Sequence, residues 1–188
     1  MSLTGIILAG GRSHRMGKDK GLIRYHGKTL IEQAIGTLAP WCSDLLISAN
    51  NPVYEQFGLR VVPDSIRDIG PMGGILSGLE ASPNNANLIL ACDIVAVPEN
   101  LLQLLTKYAR NHEAVIPLHP DGKAEPLCAW YHRNICNPMA NEAKRGNYKL
   151  IDFLRQRDTV FLPLQTSLKD YHPQILRNLN RPEDFFLL

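Results

Sequence analysis

Residues 10–20 read Gly-Gly-Arg-Ser-His-Arg-Met-Gly-Lys-Asp-Lys, the stretch of this 188-residue chain with the most chemistry in the least length. The adjacent glycines Gly10 and Gly11 let a backbone approach a bound group closely and turn its N–H groups toward it. Arg12, Arg15, Lys18 and Lys20 stand against one acid, Asp19, so residues 11–20 carry a local charge of +3. That charge offsets much of the charge of a nucleoside triphosphate. The spacing excludes a Walker A loop. Five residues separate Gly11 from Gly17 where four are needed, and Asp19 follows Lys18 where Ser or Thr should stand. It is not GxGxxG either. Composition alone leaves two readings open: an anion site, or a solvated basic turn with glycines for tightness.

Two carboxylates follow apolar runs. Asp93 comes directly after the run 88–91, and Asp64 after the run 59–62 through Pro63. Carboxylates at strand ends beside a phosphate site are a usual way to hold magnesium, with one or two acids plus the substrate's phosphates. Taken singly, each is equally at home capping a turn or a helix. Gly70-Pro71-Met72-Gly73-Gly74 is either a tight helix entry or a second loop lying against a base or sugar. No Ser-His-Asp or Cys-His set accompanies these residues.

The elements that position them alternate. Apolar runs at 4–8, 45–48, 59–62, 88–91, 114–118, 127–131 and 160–162 read as strands, and 22–25 as a short one turned by His26-Gly27. Leu30, Ile31, Ala34, Ile35 and Leu38 fall on one helical face, as do Met72, Ile75, Leu76 and Leu79. Further helices are expected after Pro98, across 137–157 with a break near Gly146, and from Pro182. This alternation predicts an α/β fold: three layers, doubly wound, with a mostly parallel sheet. Ligands bind such sheets beyond the carboxyl ends of the strands, where the glycines, Asp64 and Asp93 all fall. Trp130 and Tyr131 read as core aromatics.

The length suits one domain, residues 1–188. Hydrophobic residues make up 45% and charged residues 20%, which argues against disorder. A net charge of +2 gives no reason to expect nucleic acid or a membrane surface as partner. No apolar run is long enough to span a bilayer, and no signal-peptide pattern opens the chain. Cys42, Cys92, Cys128 and Cys136 form no CxxC pair and no zinc-like spacing with histidine. They are expected to be reduced, small apolar residues of a cytoplasmic protein.

The string Leu8 to Leu22, LAGGRSHRMGKDKGL, resembles the signature loop of the molybdenum cofactor guanylyltransferases, within the wider Rossmann-like nucleotidyltransferases. The Asp19-Lys20 pair is more typical of the guanylyl enzymes than of their cytidylyl relatives. The resemblance continues in order through Ser48-Ala49-Asn50, Val62-Pro63-Asp64-Ser65, Gly70 to Ile75, Ala91-Cys92-Asp93, Glu125-Pro126-Leu127 and Asn178 to Asp184. It implies that Leu8, Ala9, Gly10 and Gly11 meet the nucleotide by backbone. It also implies that Arg15 and Lys20 face phosphates, that Lys20, Asp64 and Asp93 bind GTP, and that Asp93 carries Mg2+. The implied reaction moves GMP from GTP to molybdenum-molybdopterin and releases pyrophosphate, for delivery to molybdoenzymes or their chaperones. The first half of the chain would hold the nucleotide and the second half the acceptor. Asn178 and Asn180 alternate in an extended segment, and their carboxamides suit a pterin's polar edge. Asn180 is equally placed to cap a helix at Pro182. The chain departs from the family pattern at three positions. Ser48 replaces an Asn, Val95 replaces a Pro, and Glu125 stands where Gln or His is commoner. Rival readings are a cytidylyl- or sugar-phosphate nucleotidyltransferase, and a nucleotide-binding regulator without turnover.

Overall fold

The structure, a computed structural model, describes residues 2–10, 19–180 and 184. In chain order the strands and helices are β1 (Leu3–Leu8), β2 (Arg24–Tyr25), β3 (Lys28–Thr29), α1 (Leu30–Leu38), β4 (Asp44–Ser48), β5 (Arg60–Val62), α2 (Pro71–Ala81), β6 (Ala86–Ala91), β7 (Ile94–Val95), α3 (Glu99–Tyr108), β8 (Ala114–Leu118), β9 (Cys128–His132), α4 (Cys136–Lys144), α5 (Leu150–Arg155), β10 (Thr159–Pro163), α6 (Leu164–Ser167) and β11 (Arg177–Asn178). Seven strands form one sheet in the order β10-β8-β9-β6-β1-β4-β5. All neighbours are parallel except β9, which runs antiparallel to both β6 and β8.

β1 shows why helices cover both faces. Its six residues are all buried, the pattern of a strand packed on two sides. Gly5 faces Leu38 at the end of α1, whereas its neighbour Ile6 faces Gly78 of α2. Successive residues point to opposite faces, so α1 and α2 lie on opposite layers. α1 starts with a reciprocal cap, in which Thr29 Oγ1 accepts from the Glu32 amide and the Glu32 carboxylate accepts from the Thr29 amide. α2 starts at Gly70, whose φ of 65° is costly for other residues, and Pro71 occupies its first turn.

The local differences from expectation have physical causes. The run 22–25 is strand only at β2, because Lys20–Leu22 forms a 3-10 turn capped by Asp19. Residues 137–157 form two helices, α4 and α5, parted where Gly146 takes a φ of 80°. A small antiparallel sheet pairs β11 with β7, and too few apolar residues alternate there to signal it. The helix expected from Pro182 lies outside the described residues. Among the described residues no helix is long and apolar enough to cross a membrane.

Candidate active site

Four strand ends coincide. Leu8 is level with Ser48 on one side and with Ala91 on the other, and Ser48 is level with Val62. The chain leaves all four strands along one rim, in loops stitched together by backbone bonds. The Ala9 amide donates to the Ser48 carbonyl at 3.0 Å, Ala49 to Val62 at 2.9 Å, and Cys92 to Leu8 at 3.0 Å. Gly10, Asn50, Asp64 and Asp93 thus emerge side by side. Leu8 and Ala9 are buried, Gly10 is exposed, and a Cβ built on Gly10 would meet nothing within 4 Å among the described residues. Among the described residues nothing covers that backbone.

Lys20 joins the two halves of the chain. Its Nζ donates to Asp93 Oδ2 at 2.5 Å and to Asn180 Oδ1 at 2.7 Å. The lysine is about 19% exposed and the aspartate 22%, so the pair is half-screened from water and still reachable. Asn180 reaches Lys20 because the chain runs on from β11 past β7: the Leu179 amide donates to the Asp93 carbonyl at 2.9 Å. Leu179 is fully buried, which turns Asn178 and Asn180 outward together. The Asn180 amide is itself held by Asp184 Oδ2 at 2.7 Å.

Asp19 and Asp64 are held differently. The Asp19 carboxylate accepts from the buried Tyr54 hydroxyl, and from Asn51 Nδ2 at 3.0 Å. Burial, and then the acidic partner, push the Tyr54 hydroxyl well above its ordinary pKa, so it stays a donor. Asp19 is therefore a post that fixes Lys20, not a group offered to ligand. Gly21 must be glycine, because a Cβ would collide with the Tyr54 hydroxyl. Asp64 exchanges two hydrogen bonds with Asn50, each 2.9 Å, one from the side chain and one to it. The first turn of α2 packs on it: a Cβ on Gly74 would lie 3.6 Å from Asp64 Oδ1, and one on Gly73 2.8 Å from the Ile66 carbonyl. The glycine cluster thus serves helix entry and close approach to Asp64.

Sequence pattern does not single out Asn51, Tyr54 or the Asn50 clamp as parts of the site. Only contacts across more than 30 residues reveal the first two, and Asn50 sits in the Ser48-Ala49-Asn50 motif with nothing local to show its role. Ser48 is buried and donates to the Gly74 carbonyl at 3.0 Å, so its departure serves packing. Val95 is buried in β7 opposite Arg177. Trp130 and Tyr131 are core residues as expected. All four cysteines are unpaired. Burial raises every thiol, Cys42 to about 12 and Cys136 to about 11, so none is a nucleophile at neutral pH. Gly11 and Arg15 lie outside the described residues.

Beyond Lys20 a cleft of about 630 Å3 opens, bounded by Pro71, Glu125, Tyr148, Lys149, Asn178 and Asn180 among others. A second, of about 720 Å3, shares Lys123, Glu125, Asn178 and Asn180 with it. The two clefts flank the asparagine pair.

A mostly parallel, helix-flanked sheet with cation, carboxylates and open glycine backbone at one carboxyl rim defines a Rossmann-like nucleotidyltransferase. The profile of the MobA-like NTP transferase domain matches residues 5–160. The chain is 34% identical to the molybdenum cofactor guanylyltransferase of Yersinia pseudotuberculosis over 97% of its own length and 93% of that protein's. It superposes with a TM-score of 0.82 on molybdopterin-guanine dinucleotide biosynthesis protein A from Archaeoglobus fulgidus, at 22% identity, covering 97% of this chain and 95% of that one. Rv0371c from Mycobacterium tuberculosis, solved in complex with manganese, superposes at 0.71 with 17% identity, over 99% and 97% of the two chains. The chain belongs to the MobA-like NTP transferase family.

Proposed function

We propose that the chain transfers GMP from GTP to the terminal phosphate of molybdenum-loaded molybdopterin. An oxygen of that phosphate bonds to the α-phosphorus of GTP, the bond to the β-phosphate oxygen breaks, and pyrophosphate leaves. The observation that carries this reading is Lys20, whose ammonium touches Asp93 on the nucleotide side and Asn180 on the acceptor side. A cation at that junction relieves the repulsion between two anions that must meet in line. A phosphate monoester has a second pKa of about 6, so it is anionic at neutral pH and needs no general base.

The nucleotide binds on the first half of the chain, along the backbone of Leu8, Ala9 and Gly10, with Asp64 and Asp93 beside it. The acceptor lies along Asn178 and Asn180. Asp93 fits a divalent ion, Mg2+, because its carboxylate already takes a cation, Lys20, at 2.5 Å. Among the described residues no group of three or more His, Cys, Asp or Glu could hold a metal, which suits an ion shared between one carboxylate and substrate phosphates. When bound, that ion adds charge neutralisation at the α-phosphate. Four unpaired cysteines accord with work in the cytoplasm, where the product is handed to molybdoenzymes or their chaperones. The test is a transfer assay with molybdenum-loaded molybdopterin, comparing GTP with CTP. Release of pyrophosphate with GTP, at least tenfold faster than with CTP, is expected. A preference for CTP, or binding without turnover, overturns the reading.

A further inference from the structure

We infer that Glu125 and Lys123 together read the 2-amino-4-oxo edge of a heterocycle bound in the acceptor cleft, and that this heterocycle is the acceptor's pterin. The inference rests on the acceptor reading above. It begins with a tight hairpin. The His119 amide donates to the Lys123 carbonyl at 2.8 Å, the Gly122 amide to the His119 carbonyl at 2.9 Å, and the Lys123 amide to Asp121 Oδ1 at 2.9 Å. Gly122 takes a φ of 85° at the turn. The Glu125 amide then donates to the Pro117 carbonyl at 2.9 Å, and the Glu125 carbonyl accepts from Cys128. Lys123 and Glu125 are two residues apart in this extended stretch and point the same way.

Glu125 is buried, 4% exposed, an unusual position for a carboxylate. Lys123 Nζ lies 2.5 Å from its Oε1, and His119 Nε2 lies 3.6 Å from the same oxygen. The lysine side chain is 59% exposed, so this charge pair stands at the cleft wall with its cation outermost. An ammonium beside a carboxylate offers donor next to acceptor. A lactam offers the complement: a carbonyl oxygen next to an N–H. Glu125 Oε1 is buried between Lys123 and His119, which leaves Oε2 to accept from the exocyclic amino group beside that N–H. Such an edge is found in pterins and in guanine. The position decides between them, because Lys123 and Glu125 line both clefts together with Asn178 and Asn180, beyond Lys20 from the glycine rim. Tyr148, 45% exposed on the same wall, offers an aromatic face to a flat bicycle.

The experiment measures binding of two ligand pairs, each of which loses the 2-amino group: 6-hydroxymethylpterin against 6-hydroxymethyllumazine, where an oxo group and an N1–H replace it, and GTP against ITP, where hydrogen does. The native chain should prefer the pterin at least tenfold. Glu125→Gln puts a donor where an acceptor stood, and should erase that preference while leaving the GTP/ITP ratio unchanged. Lys123→Ala should weaken pterin and lumazine alike, since both keep the 4-oxo group, and so carries the test should Glu125→Gln melt early. A pterin preference that survives Glu125→Gln overturns the inference. So does a change in the GTP/ITP ratio, which would place the guanine base there instead, or a Lys123→Ala variant that binds both pteridines normally. A chain that transfers GMP without preferring pterin to lumazine sinks this inference alone. A chain that prefers pterin but transfers nothing sinks the transfer reading alone.

Discussion

Asp93 combines two demands in one carboxylate. In the proposed reaction it holds a positive charge, as it does with Lys20 at 2.5 Å, and stays reachable, as its 22% exposure allows. An exposed or half-exposed ion pair contributes at most about 1 kcal/mol to stability. The loss of a charge-stabilising contact to a transferring phosphoryl group costs far more. Asp93→Asn should therefore melt within a few degrees of the native chain and lose at least about 100-fold in turnover, roughly 2.7 kcal/mol. Near-native turnover in a folded Asp93→Asn chain would remove it from the reaction. Residue type and position make Asp93 and Lys20 visible in the sequence. They do not show that Asp19 beside Lys20 is spent on Tyr54 and Asn51, because an aspartate bound by a distant tyrosine reads the same as one bound by nothing.

At the scale of elements, the strand ends are legible in the sequence because a buried parallel strand is a run of apolar residues, and the loop after it carries the chemistry. β1, β4, β5 and β6 begin within two residues of the expected runs and end where those runs end. β7 and β11 are not legible: two residues each, paired across more than 80 positions, they have no periodicity to detect. Yet that small sheet carries Asn180 to Lys20. Helix packing on β1 gives a test by opposite signs. Gly78 of α2 and Gly36 of α1 are both interior helical glycines, for which alanine gains about 0.8–1 kcal/mol of helix propensity. A Cβ on Gly78 would lie 2.5 Å from Cγ2 of the fully buried Ile6, whereas one on Gly36 meets nothing within 4 Å. Overpacking costs about 1–3 kcal/mol, which outweighs the propensity. Gly78→Ala should lower the urea midpoint and Gly36→Ala should raise it. Equal shifts would mean that α2 does not press on β1.

Across the whole molecule, the first and last parts of the chain meet at one ammonium. Lys20 and Asn180 are 160 residues apart and 2.7 Å in contact, whereas Asn178, two residues earlier on the same side of the chain, turns its carboxamide back to the Leu176 carbonyl at 3.5 Å. The two asparagines should therefore behave differently. In the proposed acceptor site Asn178 acts on the acceptor only. Asn178→Ala should leave GTP binding within about twofold, under roughly 0.4 kcal/mol, and weaken molybdopterin binding at least tenfold. Asn180 also fixes the ammonium that answers to Asp93. Asn180→Ala should weaken the acceptor as much and, through a released Lys20, change GTP affinity more than Asn178→Ala does. The extra effect on GTP should shrink as salt rises, since it is carried by a partly exposed charge. Calorimetric titration of both ligands on both variants at low and high salt checks this. If the two variants prove indistinguishable toward GTP at low salt, Lys20 does not couple the two halves of the site.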